Sequence, residues 1–279
     1  MEQIDVAVIG GGQSGLAAAY ALRGQGLRPV VLEASGARSA RGRATTTASP
    51  SSRPPVTAHC RACRFPARIR PATRAGMHAA DYRSPHPFAG RRIVVVGAGN
   101  SAVQIAAELA QVARMMLASR GPVRFARQHI LGRDLHFWLS RGGLDAAPLG
   151  RLLRTPPTQP VIDDGRYRAA LARRAPERRV LFTGVDGTKV SWSDGTREEV
   201  DTILLATGYR PDLPYLAGLD GALDDAGRPL QRDGISWTYP RLAFVGLEWQ
   251  RSLSSNSLRG VGRDADRVAR HLATHLARG

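Results

Sequence analysis

DVAVIGGGQSG, residues 5–15, decides how this chain folds. Asp5 to Ile9 is a short, mostly apolar run, and it leads straight into Gly10-Gly11-Gly12-Gln13-Ser14-Gly15, a G-x-G-x-x-G. Working outward, Ala17 to Leu22 (AAAYAL) is a run of helix formers, and Gly24 and Gly26 end it. Pro29 to Leu32 (PVVL) then reads as a second strand, closed by Glu33. Strand, glycine turn, helix and strand in that order predict a β-α-β unit that holds a dinucleotide. In this reading Gly10 permits the tight turn, Gly12 lets the backbone approach a pyrophosphate, and Gly15 lets the helix pack closely on the strand. The helix N-terminus, at Gln13 and Ser14, offers free N–H groups and a partial positive charge to the phosphates. Glu33 lies 21 residues beyond Gly12. A carboxylate at the tip of that strand accepts hydrogen bonds from a ribose diol and repels a 2′-phosphate, so the site suits FAD or NAD rather than NADP.

The same pattern occurs a second time. Arg91 to Val96 (RRIVVV) reads as a buried strand, followed by Gly97-Ala98-Gly99-Asn100-Ser101-Ala102, a G-x-G-x-x-A. A helix is predicted over Val103 to Ala113 and a strand over Met115 to Ala118. The tip of that strand carries Ser119-Arg120 where the first unit carries an acid, with Arg124 and Arg127 near. A guanidinium pairs bidentately with a phosphate, which points to NADP(H) with Arg120 on the 2′-phosphate. The plainer alternative is that Arg120 is one more solvated arginine in an arginine-rich chain. Two nucleotide sites of opposite character suggest electron transfer from a nicotinamide to a flavin.

Length and composition narrow the field. The chain has 279 residues, suiting one large or two modest domains, and 43% are hydrophobic, enough for a core. No apolar run approaches the roughly 20 residues of a membrane span. The start, Met-Glu-Gln-Ile-Asp, lacks a basic n-region, so the expectation is a cytoplasmic enzyme. The formal net charge is +17, which raises nucleic acid as a partner. Yet Lys189 stands alone against 39 arginines, and nine of those fall between Ala34 and Ala75, where no Asp or Glu occurs. A compositional bias explains that better than a phosphate-binding surface, and no nucleic-acid role is expected. Two cysteines exclude a disulfide scaffold. Cys60-Arg-Ala-Cys63, with His59 beside it, is a C-x-x-C without a second pair, so no metal site is assigned.

With both glycine motifs in view, the chain resembles the flavoprotein monooxygenases with two dinucleotide-binding domains, in particular the bacterial arsenite- and cation-resistance-type branch. The resemblance rests on Gly10 to Gly15 with Glu33, and on His78 and Tyr82 in HAADYRSP. It continues through FAGRRIVVVGAGNSAVQIAAELA from Phe88, LGRDLHFWL from Leu131, LLATGYRPDLPYL from Leu204 and FVGLEWQRSLSSNSLRGVGRDA from Phe244. It covers residues 1–36 and about 78–279.

The resemblance implies an α/β fold with two Rossmann-like dinucleotide-binding domains, the FAD domain discontinuous and incomplete. The expected parts are residues 1–34 (FAD domain, first part), 35–89 (irregular linker), 90–206 (NADP domain) and 207–279 (FAD domain, second part). Thr207-Gly208-Tyr209 would sit where the chain crosses back, Phe244 to Leu247 would be the last FAD-domain strand with Gly246 at the cofactor, and Gly260 would open the final helix under the flavin. NADPH would reduce FAD, and O2 would then be used to oxygenate a small molecule. No general base is assigned, and the catalytic residues stay unnamed. His78 and Tyr82, four apart, could share a helix face, and Asp134 and Asp264 could cap helices or touch cofactor.

The chain also departs from the family. Only 44 residues separate Glu33 from His78, where the family has well over a hundred. Ala40 to Pro66 fits an out-of-frame translation: when the third base of each codon is read with the first two of the next, Arg41-Gly42 can contain a Trp codon, and Thr45-Thr46-Thr47 can contain Tyr and Asp codons. A frameshift near residue 37 and a deletion before about residue 78 are therefore expected. Loss of the FAD-domain cover leaves a second reading, a non-catalytic NADP-binding remnant.

Overall fold

A computed structural model describes residues 3–34, 76–153, 157–209 and 211–277. The C-x-x-C of Cys60 and Cys63 and the frameshift segment lie outside the described residues. In chain order the first elements are β1 (Val6–Ile9), α1 (Gln13–Gly24), β2 (Pro29–Leu32) and β3 (Gly76–His78). They are followed by β4 (Arg92–Val96), α2 (Asn100–Leu109), β5 (Arg114–Ser119), β6 (Phe125–Arg127), β7 (His129–Ile130), β8 (Arg133–Asp134) and α3 (Leu135–Arg141). Next come β9 (Val161–Asp163), α4 (Arg166–Ala172), β10 (Glu177–Val180), β11 (Gly184–Asp186), β12 (Lys189–Ser191), β13 (Arg197–Glu199) and β14 (Thr202–Leu205). The series closes with β15 (Gln231–Arg232), β16 (Ile235–Ser236) and α5 (Val261–Leu276). No helix among the described residues is long and apolar enough to cross a membrane.

The chain divides into two units. The described parts of Met1–Ala48, His136–Pro157 and Arg210–Gly279 make the first, and those of Ser49–Leu135 and Thr158–Tyr209 the second. Residues 136–157, which the sequence places inside the second nucleotide domain, thus group with the first unit.

In the first unit β1 and β2 pair in parallel, from Val6 opposite Pro29 to Ile9 opposite Leu32. Val8, Ala18, Ala21 and Leu22 pack with Ala265, Val268, Ala269 and Leu272 of α5 into one apolar cluster. The small alanines let α1 approach both the strands and α5. On the opposite face, among the described residues, Ile9 is 53% exposed and Leu32 51%. The strand expected at Phe244 to Leu247 does not form. Ala243 makes a single bridge to Ile235, and Gly246, at φ +91, turns the chain out of extended geometry.

The second unit is built on a five-stranded, wholly parallel sheet in the order β10-β5-β4-β14-β3. Its central strand β4 is buried from Ile93 to Val96, as a parallel strand covered on both faces must be. On one face lies α2, whose Ala102, Val103, Ile105, Ala106 and Leu109 form a helical apolar stripe against Ile93, Val95, Leu117 and Leu204. On the other, the antiparallel β11-β12-β13 sheet brings Val190, Trp192 and Val200 against Val94, Val96 and Met116. Each fully buried Leu or Val contributes on the order of 2 kcal/mol. The helix expected to reach Ala113 stops at Leu109, because the chain must turn there into β5, whose Arg114 N–H donates to the Arg91 carbonyl at 2.9 Å. Gly76–His78, expected as irregular linker, is instead the edge strand β3, and Tyr82 follows the turn of residues 79–81 beyond it. His78 and Tyr82 therefore share no helix: Tyr82 stacks on Phe88 at 6.0 Å, and His78 meets Tyr209.

Candidate functional site

The first glycine turn links β1 to α1, where the sequence places it. β1–β2 pairing runs on into the loop, the Gly10 N–H donating to the Leu32 carbonyl at 2.8 Å. Gly10 has φ +106, a left-handed conformation that favours glycine. A Cβ at Gly15 would collide with the Gly10 carbonyl, so glycine there is demanded by helix–strand packing. Gly12 is different. It is the N-cap at φ −73 and ψ −179, a conformation any residue adopts, and a Cβ there would meet nothing within 4 Å. No side chain caps α1. Glu33 lies against this turn, its Oε2 accepting the Gly11 N–H at 2.6 Å. Gln13 is exposed, and its Nε2 donates to the Asn256 carbonyl at 2.9 Å. Ser14 faces Gly246, where any Cβ would strike its Oγ.

The second turn repeats the design between β4 and α2. Gly97, at φ +149, could not carry a Cβ without meeting the Ala206 carbonyl and Ala102. Ala102, in the place of the third glycine, is fully buried. Gly99 is again an uncapped helix N-cap in extended conformation, φ −91 and ψ −176, with nothing within 4 Å of a Cβ. Asn100 Oδ1 accepts the Ile162 N–H at 3.2 Å, while Ser101 is exposed. The Gly97 N–H donates to the Ala118 carbonyl at 2.9 Å, which sets the tip of β5 beside the turn. Ser119 is buried, its Oγ donating to the Gly121 carbonyl at 2.7 Å, and Arg120, the next residue, is exposed at that tip. At the tip of β14, Thr207 and Gly208 are exposed and Gly208 has φ +97.

These positions test the fit of a dinucleotide. At Gly10, Gly15 and Gly97 the protein's own conformation or packing demands glycine. At Gly12 and Gly99 neither does. Gly24, Gly121, Gly184, Gly218 and Gly262 share that freedom; what sets Gly12 and Gly99 apart is their place as N-caps at a strand-to-helix turn, where a bare backbone leaves the helix N–H groups open to close approach by a ligand. The residues present fit a pyrophosphate at each turn.

In the first unit a polar network gathers around residues 249–260. Ser254, fully buried, donates through Oγ to the Asp145 carbonyl at 2.7 Å, and Arg259 reaches Asp145 Oδ1 at 3.3 Å. Asp233 accepts from Arg151 Nε at 2.9 Å and pairs with Arg267 at 3.1 Å. Burial works to raise the Asp233 carboxyl, but the hydrogen bond from Arg151 and the charges of Arg151, Arg267 and Arg251 outweigh it and hold the group below the ordinary carboxylate range. Gly260 opens α5, packed so tightly on Ser254 that a Cβ would not fit. Asp264 lies buried in the first turn of α5, 3.4 Å from Arg251 Nε. The indole nitrogen of Trp249 and the amide nitrogen of Gln250 are buried without a partner among the described residues. Sequence reasoning missed Asp145, Arg151 and Asp233. Their partners lie 34 to 114 residues away in the chain, so no local pattern marks them.

A family profile described as "FAD dependent oxidoreductase" matches residues 5–261. An "Uncharacterized oxidoreductase CzcO-like" of Geobacillus kaustophilus is 26% identical over 204 residues, covering 71% of this chain and 57% of its own. "Indole-3-pyruvate monooxygenase YUCCA1" of Oryza sativa is 29% identical over 195 residues, covering 57% and 45%. The chain thus spans about half the length of the curated relatives it matches. Among solved structures, a flavin-containing monooxygenase from Stenotrophomonas maltophilia superposes with a TM-score of 0.72 at 23% identity, over 99% of each chain. That likeness supports the mixed α/β, Rossmann-type fold described above.

Proposed function

The chain belongs to the FAD dependent oxidoreductase family, and from that premise we propose that it is an NADPH-dependent, flavin monooxygenase-like oxidoreductase. The observation that carries the proposal is the pair of glycines, Gly12 and Gly99, that neither backbone conformation nor packing requires, one beside an acid and the other beside an arginine. Gly10, Gly12 and Gly15, with the N–H groups of Gln13 and Ser14, would hold the FAD pyrophosphate, and Glu33 its ribose. Gly246, against Ser14, and Gly260, at the N-terminus of α5, would complete that site. Gly97, Gly99, Asn100, Ser101 and Ala102 would hold the NADP pyrophosphate, with Ser119 shaping the turn that presents Arg120 to the 2′-phosphate. Thr207 and Gly208 would border that site at the tip of β14.

When bound, FAD would supply two-electron transfer from the nicotinamide and the activation of O2 toward a small-molecule substrate. The protein's part is to bind and orient both nucleotides and to exclude water. One observation favours the second reading, an NADP-binding remnant without oxygenase activity: the face of β1–β2 remote from α1 leaves Ile9 and Leu32 about half exposed. Weak or absent oxygenation is therefore expected even where NADPH binds.

The experiment is a titration of the purified chain with FAD, followed by NADPH under air. A visible flavin band that bleaches on NADPH addition supports the first reading. A protein that stays colourless with added FAD yet binds NADPH supports the remnant, and one that binds neither refutes both.

A further inference from the structure

The strand order of the second unit says where the far half of a nicotinamide dinucleotide must go. β4 leads through α2 to β5 on one side, whereas β14 and then β3 lie on the other. The order reverses at β4, and ligands of open α/β sheets bind in the crevice beyond the strand tips at such a reversal. Arg120 stands at the tip of β5 and the Gly97–Gly99 turn at the tip of β4. Neighbouring strands are about 4.8 Å apart. A dinucleotide with its adenosine half at β5 and its pyrophosphate at β4 therefore extends its second nucleoside over β14 and β3.

Two aromatic rings wait at those tips. Tyr209 follows Gly208 beyond β14, and His78 ends β3, in register with Leu205 of β14. Their rings meet edge to face, with centroids 5.4 Å apart and planes at 80°. His78 Nδ1 accepts the Ala80 N–H at 3.1 Å, which fixes the ring and leaves Nε2 to carry its proton. Tyr209 is nonetheless 70% exposed. Tyr20 and Trp237 are comparably exposed; what sets Tyr209 apart is its place beyond the tip of β14, on the side of the sheet where the second nucleoside would lie.

We propose that Tyr209 seats the nicotinamide half of NADPH, its ring packed against that nucleoside, and that His78 is a positioning residue that fixes the tyrosine. The proposal rests on the reading of the second glycine turn as an NADPH site.

The test uses the purified full chain, its Tyr209→Ala, Tyr209→Phe and His78→Ala variants, and two probes titrated by calorimetry. NADPH carries both halves, and adenosine 2′,5′-bisphosphate carries the adenosine half alone. By analogy with aromatic stacking on a nucleic base, Tyr209→Ala should weaken NADPH by about five- to 150-fold. The bisphosphate should bind all variants within about twofold of the parent, because its contacts lie at β4 and β5. Tyr209→Phe should retain NADPH, and His78→Ala should lose part of the affinity for NADPH alone. Tyr209 is too exposed for its loss to unfold the sheet, and an unchanged thermal midpoint checks that. An unchanged NADPH affinity in Tyr209→Ala, or an equal loss for both probes, overturns this inference while leaving the NADPH site standing. A parent protein that binds neither probe overturns the site itself, and this inference with it.

Discussion

Gly12→Ala separates a glycine the fold needs from one that only a ligand needs. The N-cap conformation at Gly12, φ −73 and ψ −179, is open to alanine, and the added methyl meets nothing within 4 Å. Two small effects on stability then oppose one another. Alanine restricts the unfolded chain, which stabilises by about 0.4–1 kcal/mol. It is also a poorer N-cap than glycine, at a cost of about 0.5–1 kcal/mol. The net change is near zero, and at about 2–4 °C per kcal/mol the thermal midpoint of the FAD-free protein should move by no more than a few degrees. Binding behaves otherwise. The methyl occupies the approach to the uncapped N–H groups of α1, and forcing an extra carbon into a close contact costs about 1–3 kcal/mol. FAD affinity should fall by about five- to 150-fold. Gly15→Ala is the contrasting variant, because its methyl collides with the Gly10 carbonyl and must push α1 from the sheet, lowering the midpoint with or without cofactor. The assays are circular dichroism on heating and quenching of FAD fluorescence. FAD affinity unchanged within about twofold in Gly12→Ala would refute the reasoning, because the glycine would then have no explanation in a ligand.

Arg120→Ala should weaken NADPH by roughly ten- to 100-fold, the worth of a charge-assisted pair with a phosphate, and leave NADH affinity unchanged, as parallel titrations would show. Gly99→Ala should repeat at the second turn what Gly12→Ala does at the first, losing NADPH with little change in thermal midpoint. The Asp233 carboxyl is held below its ordinary value in the folded chain. Its stabilisation is present above the unfolded value of about 3.9 and is lost as pH falls through the folded value. Urea midpoints should therefore decline below about pH 4, and Asp233→Asn should remove part of that decline. Asp145→Ala strips Arg259 of its buried partner and should cost about 1–3 kcal/mol in urea unfolding.

Both β-α-β units were legible because everything in them is local. Asp5 to Glu33 and Arg91 to Arg120 each carry strand, turn, helix and strand within about 30 residues, and the structure places β1, α1 and β2, then β4, α2 and β5, on those stretches. Boundaries moved where tertiary contacts set them, as at Leu109, where the chain turns into β5 and Arg114 joins Arg91. Elements whose partners are distant in the chain stayed hidden. Gly76–His78 is a strand only because β14, more than 120 residues later, supplies its ladder. Residues 136–157 join the first unit through Asp145 and Arg151, whose partners Arg259 and Asp233 no spacing rule could name.

The same contrast explains why the site was easier to read than its surroundings. A glycine motif combines two kinds of demand that look alike in sequence. Gly10, Gly15 and Gly97 answer to the chain itself, through a positive φ or a carbonyl in the way. Gly12 and Gly99 answer to neither, and sequence alone cannot sort the two groups. Coordinates can, since an added methyl either collides or points into open space. At both turns the unexplained glycine is the N-cap of an uncapped helix, and each strand tip beside it carries a charge of the sign that one nucleotide needs and the other rejects. Packing alone would leave the charge at those tips unconstrained; under the function proposed above, Glu33 at one and Arg120 at the other would recognise two different ribose substituents.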